Sequence, residues 1–145
     1  MSSPEIALQK ALLNRLRNDA GVIALVPALN ILDHNARPVV DPSINLGTDQ
    51  ADDAGYIARD VTTVYHDLHV WKKEAGLAGA KYIAASIIKA VKKARFEAVE
   101  GFHFADCYVS RTRFLRDPEG DFSHGIVTVT ATIQAVSYTH LTLPT

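Results

Sequence analysis

Leu115-Arg116-Asp117-Pro118-Glu119-Gly120-Asp121-Phe122-Ser123-His124-Gly125 joins two segments that both alternate like β-strands. Within it, Asp117-Pro118-Glu119-Gly120 offers an acceptor side chain at the first turn position, a pre-set φ at the second and glycine at the fourth, which suits a type I turn. Phe102 to Leu115 before the turn and Ile126 to Ile133 after it therefore predict a long antiparallel hairpin with a polar, basic tip. The stretch holds no nucleophile, metal cage or phosphate cradle. A long hairpin with a specified turn supplies shape and contact, which points to an assembly component.

Working outward, the closing strand places Val127, Val129, Ala131 and Ile133 inward and Thr128, Thr130 and Thr132 outward. Val61 to Trp71 alternates in the same way: Val64, His66, Leu68 and Val70 share one face, while Thr63, Tyr65, Asp67, His69 and Trp71 share the other. Between these β segments, Leu77 to Ala94 repeats apolar residues at helical spacing (Leu77, Ala80, Ala84, Ile87, Ile88, Val91), with Lys81, Lys89, Lys92 and Lys93 on its wetter side. Near the N-terminus, Ser3-Pro4-Glu5 reads as N-cap, first helical residue and first-turn acid. Ile6, Leu8, Leu12, Leu13 and Leu16 form the stripe that follows, with Arg17 facing out, and Asn18 to Gly21 ends the helix. A helical turn over Val22 to Val26, a strand over Leu29 to Leu32 and another over Ser43 to Leu46, broken by Gly47, complete the pattern. The order is α-β-β-β-α-β-β, an α+β fold in which two helices cover one face of a mainly antiparallel sheet.

Composition sets limits. A formal net charge of −1 argues against a nucleic-acid scaffold built on bulk positive charge, and the single Cys107 permits no intrachain disulfide. No apolar stretch reaches the length of a bilayer span, so the expected site of synthesis and assembly is the cytoplasm. Val136 to Thr145 matches, residue for residue, one reading frame of a transposon adapter used in sequencing-library preparation. The expected domain is therefore 1–135, with 136–145 set aside.

Candidate chemistry is sparse. His66 and His69 fall on opposite strand faces and cannot chelate one metal. No nucleophile elbow or phosphate loop occurs, and Cys107 reads as a small buried residue. The expectation is no catalytic, cofactor or metal site. Thr48 to Asp60 reads as a solvated connector without the spacing of a Ca²⁺ loop. As an alternative, its Asp49, Asp52 and Asp53, repeated around a ring, face a lumen and repel DNA phosphates. Tyr65, His69 and Trp71 are either a subunit interface or are buried under helices.

Several segments carry a family resemblance: Ile44-Asn45-Leu46-Gly47, His69-Val70-Trp71, Ala80-Lys81-Tyr82-Ile83-Ala84, and Leu115 to Gly120 followed by His124-Gly125. In order and spacing over residues 5 to 135 the chain resembles the tail-completion or tail-terminator proteins of long-tailed phages, prophages and gene-transfer agents. The Asp-rich stretch from Gly47 to Asp60 departs from that pattern, and no family role is carried onto it. The resemblance implies a virion protein forming a hexameric ring at the head-proximal end of the tail tube. Such a ring ends tube polymerisation, meets the major tail tube protein and the head connector, and lets DNA pass without sequence-specific binding. Tyr65, His69, Trp71, Arg111, Arg113, Arg116, Asp117 and His124 are the expected contact residues, with Arg116-Asp117 alternatively fixing the turn internally. The competing readings are a connector or stopper ring of the same virion, and a monomeric small-molecule-binding α+β domain.

Overall fold

The computed structural model describes residues 2–34, 38–53, 61–118 and 120–135. The tail 136–145, the segment 54–60 of the acidic connector, and Glu119 of the turn lie outside these residues. Helix α1 (Pro4–Arg17) opens as expected, with the Ile6 N–H donating to Ser3 Oγ at 3.3 Å. Its buried stripe is Ala7, Leu8, Ala11, Leu12 and Leu16, whereas Ile6 is left outside it, 43% exposed. A short helix α2 (Ala20–Ile23) follows, capped by Asp19, whose Oδ2 accepts the Val22 N–H at 3.0 Å.

Where a strand was expected over Leu29 to Leu32, a 3-10 turn (Ala28–Asn30) leaves only a two-residue strand, β1 (Ile31–Leu32). Arg17 stays exposed, as its place off the apolar stripe predicts, while its guanidinium reaches back from α1 to donate twice to Ile31 O, at 3.1 and 2.5 Å. Strand β2 (Ser43–Asp53) runs through Gly47 and does not stop at it. Gly47 and Thr48 together oppose Asp67, forming a bulge between the Leu46–Leu68 and Asp49–His66 pairs. Thr48 to Asp53 is thus strand, paired to β3 (Val61–Lys73), and not connector. The low strand propensity of three aspartates is overridden by pairing to a strong neighbour.

Helix α3 (Ala78–Lys92) crosses to the hairpin β4 (Phe102–Arg116) and β5 (Phe122–Ala135). The sheet order is β1-β2-β3-β5-β4, with β1 parallel to β2 and all other pairs antiparallel. At the hairpin tip, Gly120 N–H donates to Asp117 O at 2.8 Å, and Asp117 N–H to Phe122 O at 3.0 Å, closing the turn read from the sequence. Helices α1 and α3 cover the face formed by Val64, Leu68, Val70, Val127, Val129, Ala131 and Ile133, all fully buried. Arg15 ties the helices together by donating from α1 to the carbonyls of Ala90 (2.9 Å) and Ala94 (3.0 Å) at the end of α3.

The N-terminus of α3 depends on a residue outside the helix. Glu74 Oε1 accepts the Gly79 N–H at 2.9 Å, and its Oε2 accepts the Ala80 N–H at 3.0 Å and meets the buried Ser123 hydroxyl at 2.5 Å. Desolvation pushes the Glu74 pKa up, but the Ser123 hydroxyl and the two N–H donors outweigh it and hold the carboxyl below its ordinary range. Arg116 anchors the same loop, reaching Ala75 O, Gly76 O (3.2 Å) and Gly120 O (3.1 Å).

His66 is enclosed by the core, 1% exposed, with Nδ1 hydrogen-bonded to Asp49 and Nε2 lacking a partner among the described residues. Burial lowers its pKa to about 4, so at neutral pH the ring is uncharged and its Nδ1–H donates to Asp49.

Two stability predictions follow from these groups. Glu74→Ala should cost about 1–2 kcal/mol in urea unfolding, the usual worth of a helix cap. Because its folded pKa is depressed, the Glu74 contribution is full at neutral pH and disappears as pH falls below the carboxylate range, where wild type and variant converge. For His66, the unfolded ring titrates near 6.5 and the folded ring near 4. Unfolding therefore takes up a proton at His66 in that window, and the His66 share of stability should fall as pH drops from 6.5 to 4, by on the order of 3 kcal/mol, alongside the lowered His69 and His124. His66→Gln should flatten the slope; an unchanged pH profile of unfolding in that variant would refute the assignment.

Candidate contact face and groove

Strand parity separates two surfaces of the sheet. The face opposite the helices carries Thr63, Tyr65, Asp67, His69 and Trp71 from β3, and Thr128 and Thr130 from β5. Among the described residues no helix lies over it, so the alternative of burial under helices is not what the fold shows, and Tyr65 is 38% exposed. Hydroxyl chemistry dominates its centre. Thr128 Oγ1 donates to Asp67 Oδ1 at 2.7 Å, and Thr130 Oγ1 to Ser110 Oγ at 2.7 Å, across the bulge where β4 shifts register.

Three of the sequence-derived residues meet at one end of this face. Trp71 and His124 lie opposite each other in the β3–β5 ladder and stack with ring centroids 3.9 Å apart and planes 8° from parallel. His69 stacks on the other side of the group, 5.0 Å from His124, with its Nδ1 2.8 Å from His124 Nε2. One of those nitrogens carries the proton and the other accepts, so the pair cannot be doubly protonated without losing the bond. Burial, and then the neighbouring His69, lowers His124 to about 4; burial likewise lowers His69, opposed by Asp67. Both rings are neutral at physiological pH.

Gly47 is what allows the stack. A Cβ at this position would lie 2.4 Å from His69 Cδ2. The bulge therefore does two things: it carries β2 onward, and it presents a bare backbone against the imidazole.

The stack forms one wall of a groove of about 770 Å³, whose other sides come from Asn45 to Thr48, from Asp33, His34, Pro38 and Val39, and from Asp117, Asp121 and Phe122 of the turn. Asn45 is 3% exposed, and among the described residues its Oδ1 has no hydrogen-bond partner. Sequence reasoning named Asp117 but missed Asn45, Asp33 and Asp121. A polar residue between the apolar Ile44 and Leu46 was the available signal; its meaning depends on register, which puts Asn45 opposite His69.

The remaining expected contact residues are dispersed. Arg111 and Arg113 stand exposed on β4, opposite Thr128 and Ile126 on the outer face. Arg116 is occupied inside the fold as described, which is the internal role weighed for it. Asp49 turns toward His66; Asp52 lies on β2 within 3.4 Å of the Gln50 amide, and Asp53 ends that strand. None of the three aspartates is on a loop.

Gly47→Ala should displace His69 and break the His69–His124 bond at a cost of about 1–3 kcal/mol. Trp71 is the only tryptophan, so its emission should change in the folded variant. An unaltered Trp71 spectrum with unaltered stability would show that the ring is not seated on Gly47.

Comparison with known proteins bears on what such a face serves. Residues 10–134 match the profile of the family described as "Tail completion protein gp17". No match is found among curated proteins. Among solved structures, the chain is similar to a protein in the virion of a native gene transfer agent particle: 24% identity, a TM-score of 0.82, 93% of this chain and 100% of that chain covered. It is also similar to the gp17 protein of bacteriophage SPP1, with 21% identity, a TM-score of 0.57 and 88% of each chain covered. With nearly the whole folded part of the chain inside that profile, the protein belongs to the tail completion protein gp17 family and is a structural component of a phage-type tail.

Proposed function

We propose that copies of this protein close into a ring, a hexamer, on the head-proximal end of the finished tail tube, end its polymerisation, and present the seat for the head connector. The observation that carries this reading is the family match over residues 10–134. The fold supports it physically. A closed ring uses heterologous contacts, one patch meeting a different patch on the next copy, and the two flanks of this sheet differ in chemistry. One flank holds the acid-lined groove beside β1 and β2; the other is the long edge strand β4 with exposed arginines.

Termination requires one ring face to match the tube and the opposite face to reject a further tube subunit. Shape performs that work, with no bond made or broken. DNA passes through the lumen without being read. In this reading the acidic half of β2, with Asp52 and Asp53, borders the lumen, where like charge keeps phosphates from adhering. The protein acts in the assembled virion, after folding in the host cytoplasm.

Deleting the gene should yield separate full heads and tails of uncontrolled length, measured by electron microscopy of lysates. Tails of normal length in the deletion strain would overturn the terminator role.

A further inference from the structure

The groove beside the Trp71–His124–His69 stack has the composition of a cation site. Three carboxylates line it, from Asp33, Asp117 and Asp121, and among its described lining residues there is no lysine or arginine. Its aromatic wall is flat, and flat aromatic surface attracts a guanidinium or ammonium. Asn45 adds a buried carbonyl oxygen without a donor among the described residues. A buried acceptor in that state costs free energy until a donor arrives.

The acceptors lie on three separate elements: β2, the segment after β1, and the hairpin turn. A guanidinium spreads five N–H donors over a plane and serves such a set together, whereas an ammonium is a point charge. The same chain presents guanidinium groups on the opposite flank. Among the described residues, β4 is hydrogen-bonded to a neighbouring strand on one side alone. Among the described residues, neither Arg111 nor Arg113 makes a side-chain hydrogen bond or ion pair.

Register makes the two flanks meet. One row of the sheet runs Arg113, Ile126, His69, Asn45, Leu32 across β4, β5, β3, β2 and β1. Arg113, His69 and Asn45 are on the same sheet face by strand parity. When one copy follows another around a ring without offset along the strands, Arg113 of the first is level with Asn45 of the next.

We infer that the groove is the receptor half of the contact between copies, and that Arg113, supported by Arg111, is the inserted half. This rests on the ring reading and specifies its interface. The carboxylates neutralise the guanidinium, Asn45 Oδ1 accepts one N–H, and Trp71 covers its plane. The contact is heterologous, so every copy gives an arginine on one flank and receives one on the other, as closure requires.

Charge exchange tests it. Sedimentation velocity would be run on wild type, R111E/R113E, D33K/D121K and an equimolar mixture of the two variants, alone and with purified tail tubes. Each variant alone should self-associate about tenfold more weakly than wild type or worse, the scale of losing charge-assisted hydrogen bonds. The mixture should recover assembly, because glutamate then meets lysine at one contact while native arginine meets native aspartate at the next. Trp71 emission should shift on assembly in the wild type and in the mixture alone. Circular dichroism melts check folding, and the milder R113Q and D121N pair replaces any variant that does not fold.

A double-arginine variant that assembles like wild type, or a mixture that stays dissociated, overturns this contact and leaves the ring intact. A wild type that stays monomeric at every concentration and on tail tubes overturns the ring reading itself.

Discussion

The β3–β5 ladder fixes the rest of the molecule. It runs from Val61 opposite Gln134 to Lys73 opposite Phe122 with no bulge. An unbroken antiparallel register has a strict two-residue period, so it assigns each side chain of both strands to one face, and slipping it by one residue would exchange the faces. Helices α1 and α3 then have a single place to bury their apolar stripes. The threonines, tyrosine, histidines and tryptophan of the same strands are left on the other side. The core and the outer polar face are two consequences of one pairing.

The flanking strands behave differently. Both β2 and β4 carry bulges, at Gly47-Thr48 on one and around Ala105 and Ser110 on the other. A bulge adds local twist and re-aims side chains, and these act where the sheet meets its surroundings. On β2 the bulge turns Asp49 toward His66 and seats His69 on a glycine. On β4 it lets Ser110 reach Thr130, and bulges together with arginines keep a long edge from pairing indiscriminately. A rigid middle with modified edges is the arrangement the proposed ring contact would use.

This distribution also explains what could be read from the chain alone. The hairpin, both long helices, the β3 face and the Ser3 cap follow from local periodicity and turn chemistry, and the structure has them close to the expected residues. Gly47 misled because glycine after an apolar run signals a strand end, while a bulge uses the same residue to continue. The aspartates after it look like connector until their partner strand is known. The groove was legible only in part: His69, Trp71 and His124 follow from parity, but Asn45, Asp33 and Asp121 join them through register and chain crossing, which single-sequence periodicity does not encode. Glu74 was missed for a similar reason, since it caps a helix from outside and needs Ser123, forty-nine residues away, to complete its shell.

The protonation state of the stack has a consequence for the groove's field. Two histidines beside three carboxylates would, if charged, cancel most of the local negative potential. Burial, and for His124 the proximity of His69, hold them neutral, and their hydrogen bond requires that at least one stay so. Asp33 already shares a 3.0 Å hydrogen bond with His34, so the charge offered to a positive partner comes chiefly from Asp117 and Asp121. The rings themselves contribute flat, uncharged area that a cation approaches without repulsion. Using histidine here in place of phenylalanine keeps polar edges that lock the stack's orientation through the Nδ1–Nε2 bond, at the cost of tying the site to pH values above the range where these rings take up protons. A neutral aromatic wall inside an acidic pocket is a way to favour a positive guest while keeping the pocket rigid before the guest arrives.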